Sequence, residues 1–257
     1  MNFKLKIKKD FEHIKKNYKV IILLILTLYF YNVLTNLVYY LHKRDEHLKD
    51  LLFDIFPHKN IGIISDILTM FYFSYCVLFI FLPYIIDVKF SSSEIFLVIS
   101  KTFIISSFLR SISFIFTILP SPAEHCQINS DNYNPPNILQ IFIRMDMFKG
   151  CGDLIFSGHT NIITIVSLTT LYYLYQILKK SFFYLYVLFV FIFQLTLFIL
   201  IIISRNHYTV DIIISIYVTI LVFYMVINNF KLSLSEENKK NERVILKDCH
   251  IVNFDYL

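Results

Sequence analysis

Two short polar stretches interrupt an otherwise apolar chain, and both carry histidine. One is Cys151-Gly152-Asp153-Leu154-Ile155-Phe156-Ser157-Gly158-His159-Thr160; the other is His207-Tyr208-Thr209-Val210-Asp211. His207 and Asp211 are spaced so that a helix would put them on one face, within reach of each other. A carboxylate beside an imidazole fixes its tautomer and stabilises its protonated form. It also makes the other ring nitrogen a better nucleophile or base. His159 supplies a second imidazole. Two imidazoles and a carboxylate suffice for metal-free phosphoryl transfer: one group attacks phosphorus, one orients it and one protonates the leaving oxygen. Ser157-Gly158-His159-Thr160 stands where a helix begins. Ser157 suits an N-cap, Gly158 lets backbone approach a ligand closely, and the unpaired N–H groups of that helix end suit a phosphate.

Other chemistries fit the same residues less well. His159, His207 and Asp211 could hold a metal ion, but neither stretch has the H-E-x-x-H arrangement of a helical zinc site. Ser157 lacks the strand–turn–helix setting of a hydrolase nucleophile. His13, His42, His47, His58 and His250 fall mostly in charged segments and read as solvated groups. Arg110 lies inside an apolar run, where an unpaired charge is costly. It is expected either to meet a substrate phosphate or to pair with a carboxylate such as Glu124 or Asp153.

The elements that must position these residues are membrane helices. Hydrophobic residues make up 56% of the 257 and charged ones 17%, against about 25% charged in ordinary soluble domains. Six apolar runs, at about 20–41, 66–86, 95–119, 160–178, 182–203 and 210–229, are each long enough to cross a bilayer as a helix. The reading is an all-α polytopic membrane protein of six spans. Lys4, Lys6, Lys8, Lys9, Lys15, Lys16 and Lys19 precede the first run, and the basic excess puts both termini in the cytoplasm. No groove-reading motif accompanies that charge, so nucleic acid is not an expected partner. Residues 1–19 read as a basic cytoplasmic arm, 20–230 as the membrane catalytic part and 231–257 as a polar, disordered tail. The first run is too long for a signal peptide and lacks its cleavage pattern. Two membrane crossings separate His159 from His207, so both stretches return to one face, the exoplasmic or lumenal one. The segment 120–156 is longer than a simple connector and is expected to be a structured loop. Its Cys126 and Cys151 would share an oxidising compartment where a disulfide can form, while Cys76 reads as a packed residue inside a span.

Together these stretches resemble the sphingomyelin synthase family, a branch of the lipid phosphate phosphatase superfamily. C-G-D-L-I-F-S-G-H-T is similar to that family's C-G-D-x-x-x-S-G-H-T motif, and H-Y-T-V-D-I-I-I-S-I-Y to its second catalytic motif. Arg110 through Thr117-Ile118-Leu119-Pro120 resembles its third span, which ends in Leu-Pro. Asp50, Phe53 and Asp54 resemble the end of its first motif. The departures are a missing proline-rich start, with Glu46-His47-Leu48-Lys49 before Asp50, and Phe156 where the wider superfamily has Pro. The phosphatases' Lys-x6-Arg-Pro motif is absent, and Arg205 lies too near His207 to match their upstream Arg.

The resemblance implies a transferase that moves phosphocholine or phosphoethanolamine from phosphatidylcholine or phosphatidylethanolamine to ceramide, leaving diacylglycerol. His207 would attack phosphorus, Asp211 would activate it, and His159 would serve as acid and then base. Arg110, Asp153, Ser157, Gly158 and Tyr208 would contact substrate. The expected partners are membrane lipids, with a homo-oligomer allowed, and no cofactor or metal is expected. The expected place is the Golgi, plasma membrane or endoplasmic reticulum. A water-using phosphatase or phospholipase C-like hydrolase, and a non-catalytic transporter or scaffold, remain the rival classes.

Overall fold

The computed structural model describes residues 3–43, 46–127, 130–145 and 150–251, with side chains to residue 232. Among the described residues the chain is helical, without strands. In order come α1 (Phe3–Lys16), α2 (Tyr18–Leu41), α3 (Leu51–Ile55), α4 (Gly62–Ile80), α5 (Leu82–Ile85) and α6 (Ser92–Phe116). A 3₁₀ turn at Glu124–Cys126 follows, then α7 (Ile138–Ile143), α8 (Gly158–Leu174), α9 (Lys180–Ile203) and α10 (Thr209–Ile251).

Local chemistry sets the starts. Ser91 and Glu94 form a reciprocal capping box on α6, and Asn137 with Gln140 does the same for α7; each satisfies two orphan donors of a helix end. Asp50 caps α3, and Ser157 caps α8 by accepting from the Thr160 amide. The residues expected in the tail continue α10 as far as Ile251. Residues 252–257 and the side chains of Cys249 and His250 lie outside the described part.

Five helices among the described residues are long and apolar enough to cross a membrane: Tyr18–Leu41, Gly62–Ile85, Ser92–Phe116, Lys180–Ile203 and Thr209–Leu232. The run expected at 160–178 is α8, which has 17 residues and stands at the centre of the bundle against α4, α6, α9 and α10. Its surroundings explain its composition. Thr160, Thr164, Ser167, Thr169 and Thr170 are all buried. Ser167 bonds the Tyr72 hydroxyl at 2.7 Å, Thr170 accepts from Tyr186 at 2.8 Å, and Asn161 accepts from Thr219 at 2.9 Å. Small polar side chains let helices approach closely and bond across apolar surroundings. The polarity is thus inverted relative to a soluble bundle: α9 turns Leu185, Phe189, Phe191 and Ile192 outward, while the hydroxyls lie inside.

Beyond α6 the chain folds into a cap over one end of the bundle. Cys126 and Cys151 form a disulfide, with Cα atoms 5.8 Å apart. His42, expected to be solvated, is instead buried: its Nε2 accepts from the Ser121 amide at 3.2 Å and its carbonyl from the Tyr133 hydroxyl at 3.1 Å. Asn36 at the end of α2 donates to the carbonyls of Ile141 and Arg144.

Candidate active site

Asp211 is the anchor. It lies in the first turn of α10 and is 0% exposed. One carboxylate oxygen accepts from the Ile155 amide at 2.8 Å and the other from the Tyr208 amide at 3.0 Å. Its own carbonyl accepts from the Ser157 amide at 3.1 Å. A single side chain and its backbone therefore tie the two polar stretches together. His207 Nδ1 stands 3.4 Å from the same carboxylate, an ion-pair contact longer than an aligned hydrogen bond. The contact engages Nδ1 of the ring, not Nε2.

The segment before His159 is held in unusual backbone geometry. Ile155 and Phe156 have φ of 53° and 114°, a region that non-glycine residues rarely adopt. Such strain persists where surrounding contacts over-determine it, commonly at functional sites. Here the Ile155 amide is bound by Asp211, and the Phe156 carbonyl accepts from Arg110 Nε. Proline, fixed near φ −65°, could not take the Phe156 conformation, which gives that departure from the superfamily pattern a backbone meaning.

His159, in the first turn of α8, bonds Asp66 of α4 through Nε2 at 3.0 Å. The two imidazole rings lie 6.0 Å apart, centroid to centroid, edge to face. Both line a cavity of about 740 Å³, within the range of sites that enclose a small lipid portion or a drug-sized molecule. At its polar end stand Arg110, His125, Asp153, Asn206 and the two histidines; Leu24, Leu28, Phe73, Val77 and Phe81 line the apolar remainder. That remainder runs along α2 and α4.

Arg110 is the buried cation of the site. Nη2 meets the Asp153 carboxylate at 2.8 Å and the Asp153 carbonyl at 2.9 Å, and the guanidinium lies 5.0 Å from the Tyr31 ring centre. The carboxylate pairing weighed for this arginine is therefore present, with Asp153. Gly158 allows a close approach: a Cβ there would sit 3.2 Å from the Tyr31 hydroxyl and 3.3 Å from Arg110 Cζ, so those side chains would have to give way.

Of the expected site residues, the fold brings His159, His207, Arg110, Asp153 and Gly158 to one cavity wall. Asp211, Ser157 and Tyr208 stand behind that wall. Ser157 is fully buried; its hydroxyl caps α8 and its carbonyl accepts from Ser215 at 2.9 Å. The Tyr208 hydroxyl donates to the Pro120 carbonyl at 2.8 Å and accepts from the Leu48 amide at 2.9 Å. Burial pushes this phenol above the ordinary tyrosine range. Asp50 reaches the same corner, accepting from the Thr209 amide at 2.6 Å and the Thr209 hydroxyl at 2.8 Å, so it sets the start of α10.

Sequence reasoning missed Asp66, His125 and Asn206. Asp66 sits inside an apolar run, and a carboxylate in a span is itself a signal. A ring nitrogen of His125 and the Cys126 and Cys151 sulfurs lie within 4.8 Å of one another. The disulfide consumes both thiols, so that cluster offers no thiolate ligands.

Comparison with known proteins fits this geometry. Residues 150–228, which hold both histidine stretches, match the PAP2 superfamily C-terminal family. The chain is 34% identical over 201 residues to a phosphatidylinositol:ceramide inositolphosphotransferase of Oryza sativa subsp. indica, covering 74% of this chain and 59% of that protein. It is 32% identical over 209 residues to phosphatidylinositol:ceramide inositolphosphotransferase 3 of Arabidopsis thaliana, covering 77% of this chain and 69% of the relative. Over 104 residues it is 33% identical to a Caenorhabditis elegans protein provisionally named phosphatidylcholine:ceramide cholinephosphotransferase 3, covering 40% and 29%. With its paired histidine stretches and a likeness that runs through most of the Arabidopsis protein, the chain belongs to the sphingolipid synthase family of the lipid phosphate phosphatase superfamily.

Proposed function

We propose that this protein transfers the phospho-head-group of a glycerophospholipid to the primary hydroxyl of ceramide, by way of a phosphohistidine on His207. The observation that carries the reading is two imidazoles 6.0 Å apart at the polar end of a cavity with an apolar remainder. Each imidazole stands against a carboxylate, Asp211 for His207 and Asp66 for His159. His207 Nε2 attacks phosphorus, and the bond from phosphorus to the diacylglycerol oxygen breaks. His159 gives that oxygen its proton, and diacylglycerol leaves. Ceramide then yields its hydroxyl proton to His159, its oxygen attacks phosphorus, and the phosphorus–nitrogen bond breaks. Asp66 stabilises the His159 imidazolium that must form in each cycle. Asp211 holds His207 in the attacking tautomer.

The sequence resemblance points to phosphocholine or phosphoethanolamine as the moving group. The polar end of the cavity favours a hydroxyl-rich group instead. It presents His125 and Asn206, while Asp153 and the Tyr31 ring both already meet Arg110. Choline is commonly recognised by several aromatic faces. The inositol in the names of the plant relatives agrees with a polyol. Phosphatidylinositol is therefore the first donor to assay.

The same reading gives α8 the role of a sixth crossing, sheltered by its neighbours, with both termini in the cytoplasm and the histidines on the lumenal or exoplasmic side of the Golgi, endoplasmic reticulum or plasma membrane. The test is purified protein incubated with ceramide and each labelled donor in turn. Labelled sphingolipid from at least one donor is expected. Release of water-soluble head-group phosphate with ceramide unused would replace the transferase by a hydrolase.

A further inference from the structure

A helix that packs on a protein normally buries its apolar stripe. α1 does the reverse. Its protein-facing residues are Lys6, Asp10 and His13. Lys6 Nζ donates to the Pro83 carbonyl at 2.9 Å and pairs with Asp87 at 3.2 Å, holding that carboxyl below its ordinary range. Asp10 is buried and accepts from the Ser93 hydroxyl at 2.6 Å and the Ser93 amide at 3.2 Å. His13 Nδ1 lies 2.9 Å from the same hydroxyl. These bonds fasten α1 across the ends of α5 and α6. Left largely outward, at i, i+4 and i+8, are Phe3, Ile7 and Phe11, exposed by 57%, 43% and 64%, with the Phe3 and Tyr84 rings edge to face, centres 5.8 Å apart.

At 100° per residue, Lys8 and Lys15 border that stripe on the side away from the protein, and both are exposed. α2, whose apolar run enters the bilayer, begins at Tyr18, immediately after α1 ends at Lys16. The stripe therefore lies next to the start of a helix long and apolar enough to cross a membrane. The histidine site lies farther along α2, beside Tyr31, whose hydroxyl reaches the Gly158 backbone.

We propose that α1 is an interfacial helix that docks on an anionic lipid surface, with Phe3, Ile7 and Phe11 among the upper acyl carbons and Lys8 and Lys15 on lipid phosphates. An apolar stripe flanked by lysine is the pattern of helices that lie in the plane of such a leaflet. A second protein chain would be a poorer occupant, because lysine is depleted from the cores of protein interfaces.

The chain has no tryptophan, so Phe11→Trp gives the full-length protein a single reporter. The variant is reconstituted into vesicles of phosphatidylcholine, with or without phosphatidylserine, containing lipids brominated high on the acyl chain. Bromine quenching is expected, about twofold stronger with phosphatidylserine, and the added Lys8→Glu and Lys15→Glu changes should abolish the difference. Solvent-like emission without quenching in both vesicles would overturn the proposal. So would blue-shifted emission that ignores bromine and grows with the protein-to-lipid ratio, because that face would then be covered by a second copy. The readout is independent of enzymatic activity, so failure of the transferase reading leaves it intact.

Discussion

The two histidine–carboxylate pairs of this protein are built in opposite ways. His207 and Asp211 are neighbours on one turn of chain, and Asp211 is wholly enclosed, its oxygens shared with two backbone amides. His159 and Asp66 come from helices separated by 93 residues, with 14% and 34% of their side chains exposed. Under the proposed mechanism, the difference follows from what each pair would do. An attacking nitrogen gains from a fixed direction. A group that gives a proton to one departing alcohol and takes one from the next must face the space through which both alcohols pass. On that proposal, a rigid pair and an open pair divide the labour of a two-step transfer.

Three substitutions would sharpen or break that contrast. His207→Ala should remove transfer and the acid-labile phosphoenzyme together, a loss on the order of 10⁴-fold or more; labelled phosphate still trapped on the variant would mean that another group attacks. Asp66→Asn should be milder. It keeps a hydrogen-bonding group beside His159 but loses the charge, so kcat should fall roughly tenfold to a hundredfold with KM little changed. If this variant matched His207→Ala, the open pair would be as critical as the rigid one and the division would fail. Tyr208→Phe should have the smallest effect, about 1–2 kcal/mol of stability from its two hydrogen bonds, measured by thermal unfolding in detergent. The fold favours the neutral phenol, so this contribution is present below the ordinary tyrosine value of about 10 and is lost as pH rises beyond it. The variant's unfolding curve should therefore lack that alkaline decline.

The same contrast explains what the sequence could reveal. Asp211 was legible because its four-residue spacing from His207 is local, although His207 stands just before α10 and the contact is made across the helix start, not along one helix face. Asp66 was not, because its partner depends on how α4 packs on α8, which no local pattern encodes. The apolar runs of α2, α4, α6, α9 and α10 were plain for the complementary reason: lipid selects composition directly. In α8 the neighbours are protein, and packing selected threonine and serine in place of leucine. Arg110 was visible as an oddity, a charge in an apolar run, but its fastening to Asp153 and the Phe156 carbonyl needed the loop between α7 and α8 in three dimensions. The left-handed turn at Ile155 and Phe156 left no trace in residue type, since neither is a residue that favours it.

The bond between Cys126 and Cys151, 25 positions apart in the chain, closes a covalent ring. A peptide bond cut inside that ring, for example at an engineered protease site by exposed Asn132, would leave the two fragments joined. Nicked protein should migrate as one band on a denaturing gel and part into two only after a reductant is added. The rim of the site would keep its covalent continuity through damage that severs the main chain.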